Sequence, residues 1–352
     1  MKFKLPILFG MFYICTITAS FANRGAFDIE RWDSILASIR SQATAQNISK
    51  SVIDTTLKSP AFIPGIVKSD KNQSEFKLTL DEYLNRTVSA ERIKNGRKKA
   101  REYPTLLSRA EAKYGVPRNV ILAFWGMESN YGTIKSRHQL TNAFLTLIYD
   151  GRREEFFTKQ LLALMKIADK NKLQINTIHG SWAGAMGHFQ FIPTTLAQYG
   201  VDGNNDGRVD IINSVGDAMY SAGNYLNKLG WNKNEPIIKA VILPADFDRT
   251  MLNGDVKKTF SEWSNMGVTN TDGTPIAQSE TIVGLVADTK EIAQRDLYQP
   301  QRYDDEQSVD SDVAPAPVIH AYLTYPNFYR IKKWNNSSWY AIAIGRLSEK
   351  IK

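Results

Sequence analysis

The chain has 352 residues, 43% of them apolar and 11% aromatic, and a formal net charge of +8 at pH 7. That composition excludes a mainly disordered chain, and the length accommodates one large core or two to three packed domains. The only cysteine, Cys15, excludes a disulfide framework and a cysteine metal site, so stability must come from packing.

Residues 1–22, "MKFKLPILFGMFYICTITASFA", combine two lysines, an apolar run from Leu5 to Ala19 and small residues at Ser20 and Ala22. This reads as a secretory signal peptide cleaved before Asn23; an uncleaved anchor is the rival reading. "FYIC" lacks the small residues that precede a lipidated cysteine, so a lipid anchor is not expected. Loss of Lys2 and Lys4 lowers the charge from +8 to +6, which suits an acidic polymer or an anionic surface. Nucleic acid is not expected as a partner, because "IKNGRKKAR" (93–101) reads as a solvated helix face without interleaved aromatics.

Residues 23–103 read as an N-terminal helical domain, broken at "SPAFIPG". Residues 104–231 form a second helical block with glycine breaks at Gly115, Gly132, Gly151, Gly180 and Gly200. Pro117 suits a first helical turn, and Val120, Ile121, Phe124 and Glu128 then share one face. Residues 232–325 change character: "EPIIKAVIL", "ETIVGLVAD" and "VIHAYLTY" are short β-prone runs, with an acidic, proline-containing loop over 296–317. Residues 326–352 read as a C-terminal helix packing on the core, serines preceding Tyr340, Ile342, Ala343 and Leu347.

Three stretches carry chemistry. In "FWGMESNYG", Glu128 continues an apolar stripe, where lost hydration raises a carboxyl pKa towards general-acid values; a solvated glutamate near a helix end is the plainer reading. "GSWAGAMGHFQFIPTT" (180–195) mixes small residues with Trp182, Phe189 and Gln190, as either a sugar platform or a tightly packed junction. In "DGNNDGRVDIINSVGD" (202–217), Asp202, Asn204, Asp206 and the Arg208 carbonyl occupy EF-hand-like positions, but Asn213 stands where a closing glutamate belongs. Asp217 is the best replacement ligand, and an Asx-rich turn is the alternative to a calcium site. His138, His179, His188 and His320 have no zinc spacing.

"GVPRNVILAFWGMESNYG", "GSWAGAMGHFQFIPTT", "VDGNNDGRVD" and "DAMYSAGNYLNKLGW" together closely resemble the membrane-bound lytic murein transglycosylase B family. The resemblance extends upstream through "YLNRTVSAERIKNGR" and downstream to "YPNFYRIKKWNNSSWYAIAIGRL". It implies a mainly α (α+β) fold: a lysozyme-like helical core, an N-terminal α domain and a small inserted β-containing subdomain. It implies cleavage of the bond between N-acetylmuramic acid and N-acetylglucosamine in peptidoglycan, with 1,6-anhydro products and no catalytic cofactor. Glu128 matches the single acid/base; Ser129, Tyr131, Ser181, Trp182, Gln190, Tyr225, Asn335 and Tyr340 are the substrate-binding set. Asp202, Asn204, Asp206, Arg208 and Asp217 match a loop that binds calcium in some relatives, with one extra residue before Asp217. Trp334 stands where the family has tyrosine, which implies that stacking survives and a phenolic hydrogen bond is lost. The expected protein is a periplasmic monomer acting on glycan strands, with other cell-wall enzymes as further partner candidates. A hydrolytic muramidase, a non-catalytic wall-binding protein and a calcium-regulated envelope adaptor are the alternatives.

Overall fold

The computed structural model describes residues 27–71, 78–134, 136–288 and 319–352. The expected signal peptide and the acidic stretch 296–317 lie outside the described residues.

Helices α1 (Ile29–Ala45), α2 (Lys50–Leu57), α4 (Leu80–Thr87) and α5 (Ala90–Glu102) start at Asp28, Ser49, Thr79 and Ser89. Each of these side chains accepts an N–H of the first turn that would otherwise lack a partner. Thr79 and Glu82 close a reciprocal capping box. Between α2 and α4, α3 (Pro64–Lys71) carries Asp70, which is buried and ion-paired with both Arg152 and Arg153.

The second helical block comprises α6 (Pro104–Tyr114), α7 (Arg118–Ser129), α8 (Leu140–Asp150), α9 (Glu154–Asn171), α10 (Pro193–Tyr199) and α11 (Val215–Lys228). Pro117 is the N-cap of α7 rather than a residue of its first turn. Two short strands, β1 (His138–Gln139) and β2 (His179–Gly180), pair antiparallel beside α8. One continuous apolar cluster joins Trp32, Ile39, Ile66 and Leu80 of the N-terminal helices to Phe124, Leu161 and Leu226. The N-terminal helices therefore share the core of the second block.

The β-prone runs form β3 (Ile238–Leu243), β6 (Ile282–Ala287) and β7 (Ile319–Thr324). They lie in a five-stranded antiparallel sheet of order β4-β6-β7-β3-β5, with β4 (Asn253–Thr259) and β5 (Thr269–Asn270) at the edges. A short helix α12 (Phe260–Asn265) buries Trp263, which anchors a second apolar cluster with Val241, Leu285 and Leu323. Ile238 and Val286 belong instead to the large cluster, so the sheet is packed against the helices.

The chain then returns to the core. The single expected C-terminal helix is two, α13 (Pro326–Trp334) and α14 (Ser338–Ile351), broken at Asn335–Ser337. Ser337 caps α14 by accepting the Tyr340 N–H. Ala341, Ile342, Ile344 and Leu347 of α14 are fully enclosed in the main cluster, each of the three larger side chains contributing about 1.5–3 kcal/mol of burial. Among the described residues, no helix is long and apolar enough to cross a membrane.

Candidate active site

The four-residue period of α7 separates two faces. Trp125 and Ser129 point one way, and Phe124 and Glu128 another. On the first face, the Trp125 indole N–H donates to His188 Nδ1 at 3.1 Å, and Ser129 Oγ donates to the His188 carbonyl at 2.6 Å. Ser129 also accepts the Gly132 N–H and is 2% exposed. Its expected role in substrate binding is therefore corrected: the hydroxyl ties α7 to the loop that carries Gln190.

Tyr131 is a second correction. It lies in the left-handed turn after α7, with φ 61°, and its hydroxyl donates to the Arg92 carbonyl at 3.0 Å. The ring is buried between α5 and α7, which approach closely because Gly96 and Gly126 lack side chains there.

On the other face, Glu128 is half-buried and meets the C-terminal segment. The Tyr340 hydroxyl donates to Glu128 Oε1 at 2.5 Å. Burial pushes the Glu128 pKa up to about 7, against the opposing effect of hydrogen bonds from Tyr340 and Trp334. Burial, and then the Glu128 charge, also hold the Tyr340 phenol well above its usual range, so it remains a donor. Trp334 brings no phenol to the site, as its residue type requires. Its indole N–H acts on Glu128 as a donor that lowers the carboxyl pKa, while its ring packs against Phe124 at 4.8 Å and Tyr225 at 5.0 Å.

Tyr83 of α4 is a site residue that sequence reasoning missed. Its phenol is pushed up to about 12 by burial first and by the Glu128 charge second, which sets it beside the carboxyl. Tyr83 lies within a stretch that carries the family resemblance, but a tyrosine at helical spacing reads as core.

The other expected substrate residues lie on the 180–190 loop, on α11 and at the break between α13 and α14. Ser181 Oγ accepts the Ala185 N–H at 3.0 Å, fixing the turn that begins the loop, with Trp182 half-buried beside it. Gln190 has φ 49° and donates Nε2–H to the Gly187 carbonyl at 2.9 Å, which orients its amide. Tyr225 stacks on Tyr199 at 4.5 Å and its hydroxyl donates to the Lys333 carbonyl at 3.4 Å. Asn335 is exposed at the break between α13 and α14. Among the described residues, no second carboxylate acts on Glu128.

In the acidic loop, Asp202 accepts the N–H groups of Asn205, Asp206 and Gly207, and Asp206 accepts that of Arg208. Asp217 is fully buried, with Oδ1 accepting Gly203 and Asn204 N–H and Oδ2 accepting Asp210 N–H. No three acidic or imidazole side chains among the described residues converge on one point. The donors are the hard oxygens that calcium prefers, but as they stand they are engaged by the loop's own backbone. They fit an ion only by exchanging those bonds.

A helical core of this build, with a half-buried glutamate of raised pKa beside aromatic side chains, is the architecture of a glycan-processing class of protein. Residues 31–349 match the family described as Transglycosylase SLT domain, and the chain belongs to that family. It is 26% identical over 270 residues to membrane-bound lytic murein transglycosylase B of Escherichia coli (strain K12), covering 76% of this chain. The match spans 66% of that relative, just under two thirds of its length. SltB3 from Pseudomonas aeruginosa, solved in complex with NAG-NAM-pentapeptide, is 34% identical with a TM-score of 0.78, covering 91% of this chain and 79% of its own. The lytic transglycosylase Slt35 of Escherichia coli, solved in complex with calcium, shares the fold at 22% identity and a TM-score of 0.72, covering 91% and 92%. The chain thus has the α+β, lysozyme-like architecture expected from its sequence.

Proposed function

We propose that the protein is an exported lytic transglycosylase that cuts peptidoglycan between N-acetylmuramic acid and N-acetylglucosamine without adding water. The observation that carries this reading is Glu128: a carboxyl raised by burial to about 7 and hydrogen-bonded on Oε1 by Tyr340, with no second carboxylate among the described residues acting on it. Family membership and the NAG-NAM-pentapeptide complex of SltB3 support it.

In this mechanism, protonated Glu128 gives its proton to the glycosidic oxygen as the bond to muramoyl C1 breaks. The muramoyl N-acetyl oxygen closes on C1 and carries the positive charge, in place of a nucleophilic carboxylate. Glu128, now ionised and held by the Tyr340 and Trp334 donors, removes the proton of the muramoyl O6 hydroxyl. O6 then bonds to C1 and the N-acetyl oxygen leaves. One proton is given and one recovered, so the acid is restored within the turnover. Tethering favours O6 over water, since effective molarities of oriented groups reach about 10⁵–10⁸ M.

The test is digestion of purified wall followed by mass spectrometry. Muramoyl ends about 18 mass units lighter than their hydrolysed counterparts, resistant to borohydride, are the expected result of ring closure without water. Reducible ends carrying labelled oxygen from solvent would assign a hydrolytic muramidase instead.

We propose in addition that the Asp202 loop takes a calcium ion for stability alone. Side-chain oxygens of Asp202, Asn204 and Asp206, the Arg208 carbonyl and Asp217 would hold it. Its affinity is modest because Asp217 must give up backbone bonds.

A further inference from the structure

A cavity of about 480 Å³ opens at the seam between the sheet and the helices, lined by Leu229, Lys257, Ile282, Tyr329, Arg330 and Lys333 among others. That volume falls within the range of small-ligand sites, about 300–1,000 Å³. Its cations differ in what they already hold. Arg330 is paired with Glu235 at 3.0 Å. Lys257, from β4, reaches the Gly254 carbonyl and lies over the Tyr329 ring, 3.3 Å from its centroid. Neither Lys257 nor Lys333 forms a salt bridge among the described residues, the nearest influence on Lys257 being the charge of Asp255. Partial burial of its ammonium holds Lys257 down to about 8, which leaves it charged at pH 7.

Two links tie the cavity lining to residues near Glu128. Lys333 directly precedes Trp334, and Arg330 lies one turn back along α13, about 5.4 Å. Leu229 lies four residues beyond Tyr225, whose hydroxyl meets the Lys333 carbonyl. A sugar ring is a poor occupant, because the one aromatic face in the lining is covered by Lys257. An anion between Lys257 and Lys333, with apolar atoms resting on Ile282, which is 59% exposed, is the better fit.

We propose that this cavity receives a carboxylate of the peptide stem on a glycan strand lying against Glu128, Trp334 and Tyr225. The proposal rests on the transglycosylase reading for its ligand. An extended stem covers about 3.3–3.6 Å per residue, so a few residues span the distance from a muramoyl ring at Trp334. The two lysines then select strands that still carry stems, and the small side chains of the stem pack at Ile282.

Binding tests this without turnover. NAG-NAM-pentapeptide, which lacks the bond that the enzyme cuts, is titrated into the full protein by calorimetry beside the same fragment with its stem carboxylates amidated. The wild type is expected to bind the free acid about tenfold more tightly than the amide, as two partly exposed charge contacts provide. The double variant Lys257→Met, Lys333→Gln should bind both fragments alike. Lys68→Gln, which removes a charge from α3, should keep the difference. Equal affinities in the wild type, or a preference that survives in the double variant, would overturn the proposal. Turnover of purified, stem-bearing wall reads the Glu128 chemistry separately: no 1,6-anhydro ends from wild type would sink the transglycosylase reading, while the binding difference still decides the cavity.

Discussion

The Tyr340 hydroxyl and Glu128 Oε1 are 2.5 Å apart although 212 residues separate them in the chain. With Oε1 engaged, the proton that the acid must give is borne by the other oxygen, Oε2. The same bond stabilises the ionised carboxylate, which in the proposed mechanism serves the step in which Glu128 acts as base.

Replacing Glu128 by Gln keeps the shape of the side chain and removes its transferable proton. Turnover of purified wall should fall by about 10²–10⁴-fold, while the far-UV circular dichroism of the folded protein stays that of the wild type. Wall lysis near the wild-type rate in the folded variant would falsify the assignment of the acid.

The pH profile follows from the same carboxyl. Burial raises the Glu128 pKa to about 7, so the protonated form needed to begin turnover dominates below that pH and is lost above it. kcat/KM should therefore fall as pH rises through about 7. Tyr340→Phe and Trp334→Phe each remove a donor to the ionised form, which raises the pKa again. The alkaline limb should move up by about one pH unit for Tyr340→Phe, and by less for Trp334→Phe. A downward movement in either variant would contradict the donor roles.

Stability should carry the same signature. A carboxyl whose folded pKa lies above its unfolded value contributes most below the unfolded pKa, and the contribution is lost as pH rises through the folded one. Between pH 4.5 and about 7, then, the wild type should lose stability relative to Glu128→Gln. Denaturant midpoints of the two proteins measured across that window would show it as a converging or crossing pair of curves; parallel curves would count against a raised pKa.

Gly126 touches no substrate, yet a methyl group there would lie 2.6 Å from the Tyr131 hydroxyl. Gly126→Ala should cost about 1–3 kcal/mol in urea unfolding. Adding Tyr131→Ala should cost less than the sum of the two single changes, because the clash is then gone. Strict additivity would show that the two residues do not press on each other.

Millimolar calcium should raise the thermal midpoint of the wild type and leave Asp206→Ala unmoved, with chelator reversing the gain. Identical midpoints in calcium and chelator would mean that the loop is held by its own hydrogen bonds alone.

Much of this architecture was legible because apolar spacing and caps are local. Glu128 falls on the stripe with Phe124, and Ser337 announces α14. Strands β3, β6 and β7 show as apolar runs. The edge strand β4 does not, since "NGDVKKT" covers little of the core and has only one buried residue, Gly254. Ser129 and Tyr131 stand beside Glu128 in the "MESNYG" motif that carries the family resemblance, and sequence alone does not say which way they point. The helical period and the left-handed turn after it send them elsewhere. Tyr83 was invisible for the opposite reason, as its neighbour in space is 45 positions away in the chain. Nothing in the spacing of "YPNFYRIKKWNNSSW" indicates that an indole N–H will meet a carboxyl.

The environment of Glu128 draws on three separated parts of the chain: Tyr83 in α4, the end of α7, and Trp334 with Tyr340 near the C-terminus. A chain that has not yet docked α14 leaves that glutamate hydrated, near its ordinary value of 4.5, and almost fully ionised at pH 7. Such a chain has no proton to give. The proposed acid therefore exists only in the finished fold, once the last helix is seated against α7, α5 and α4.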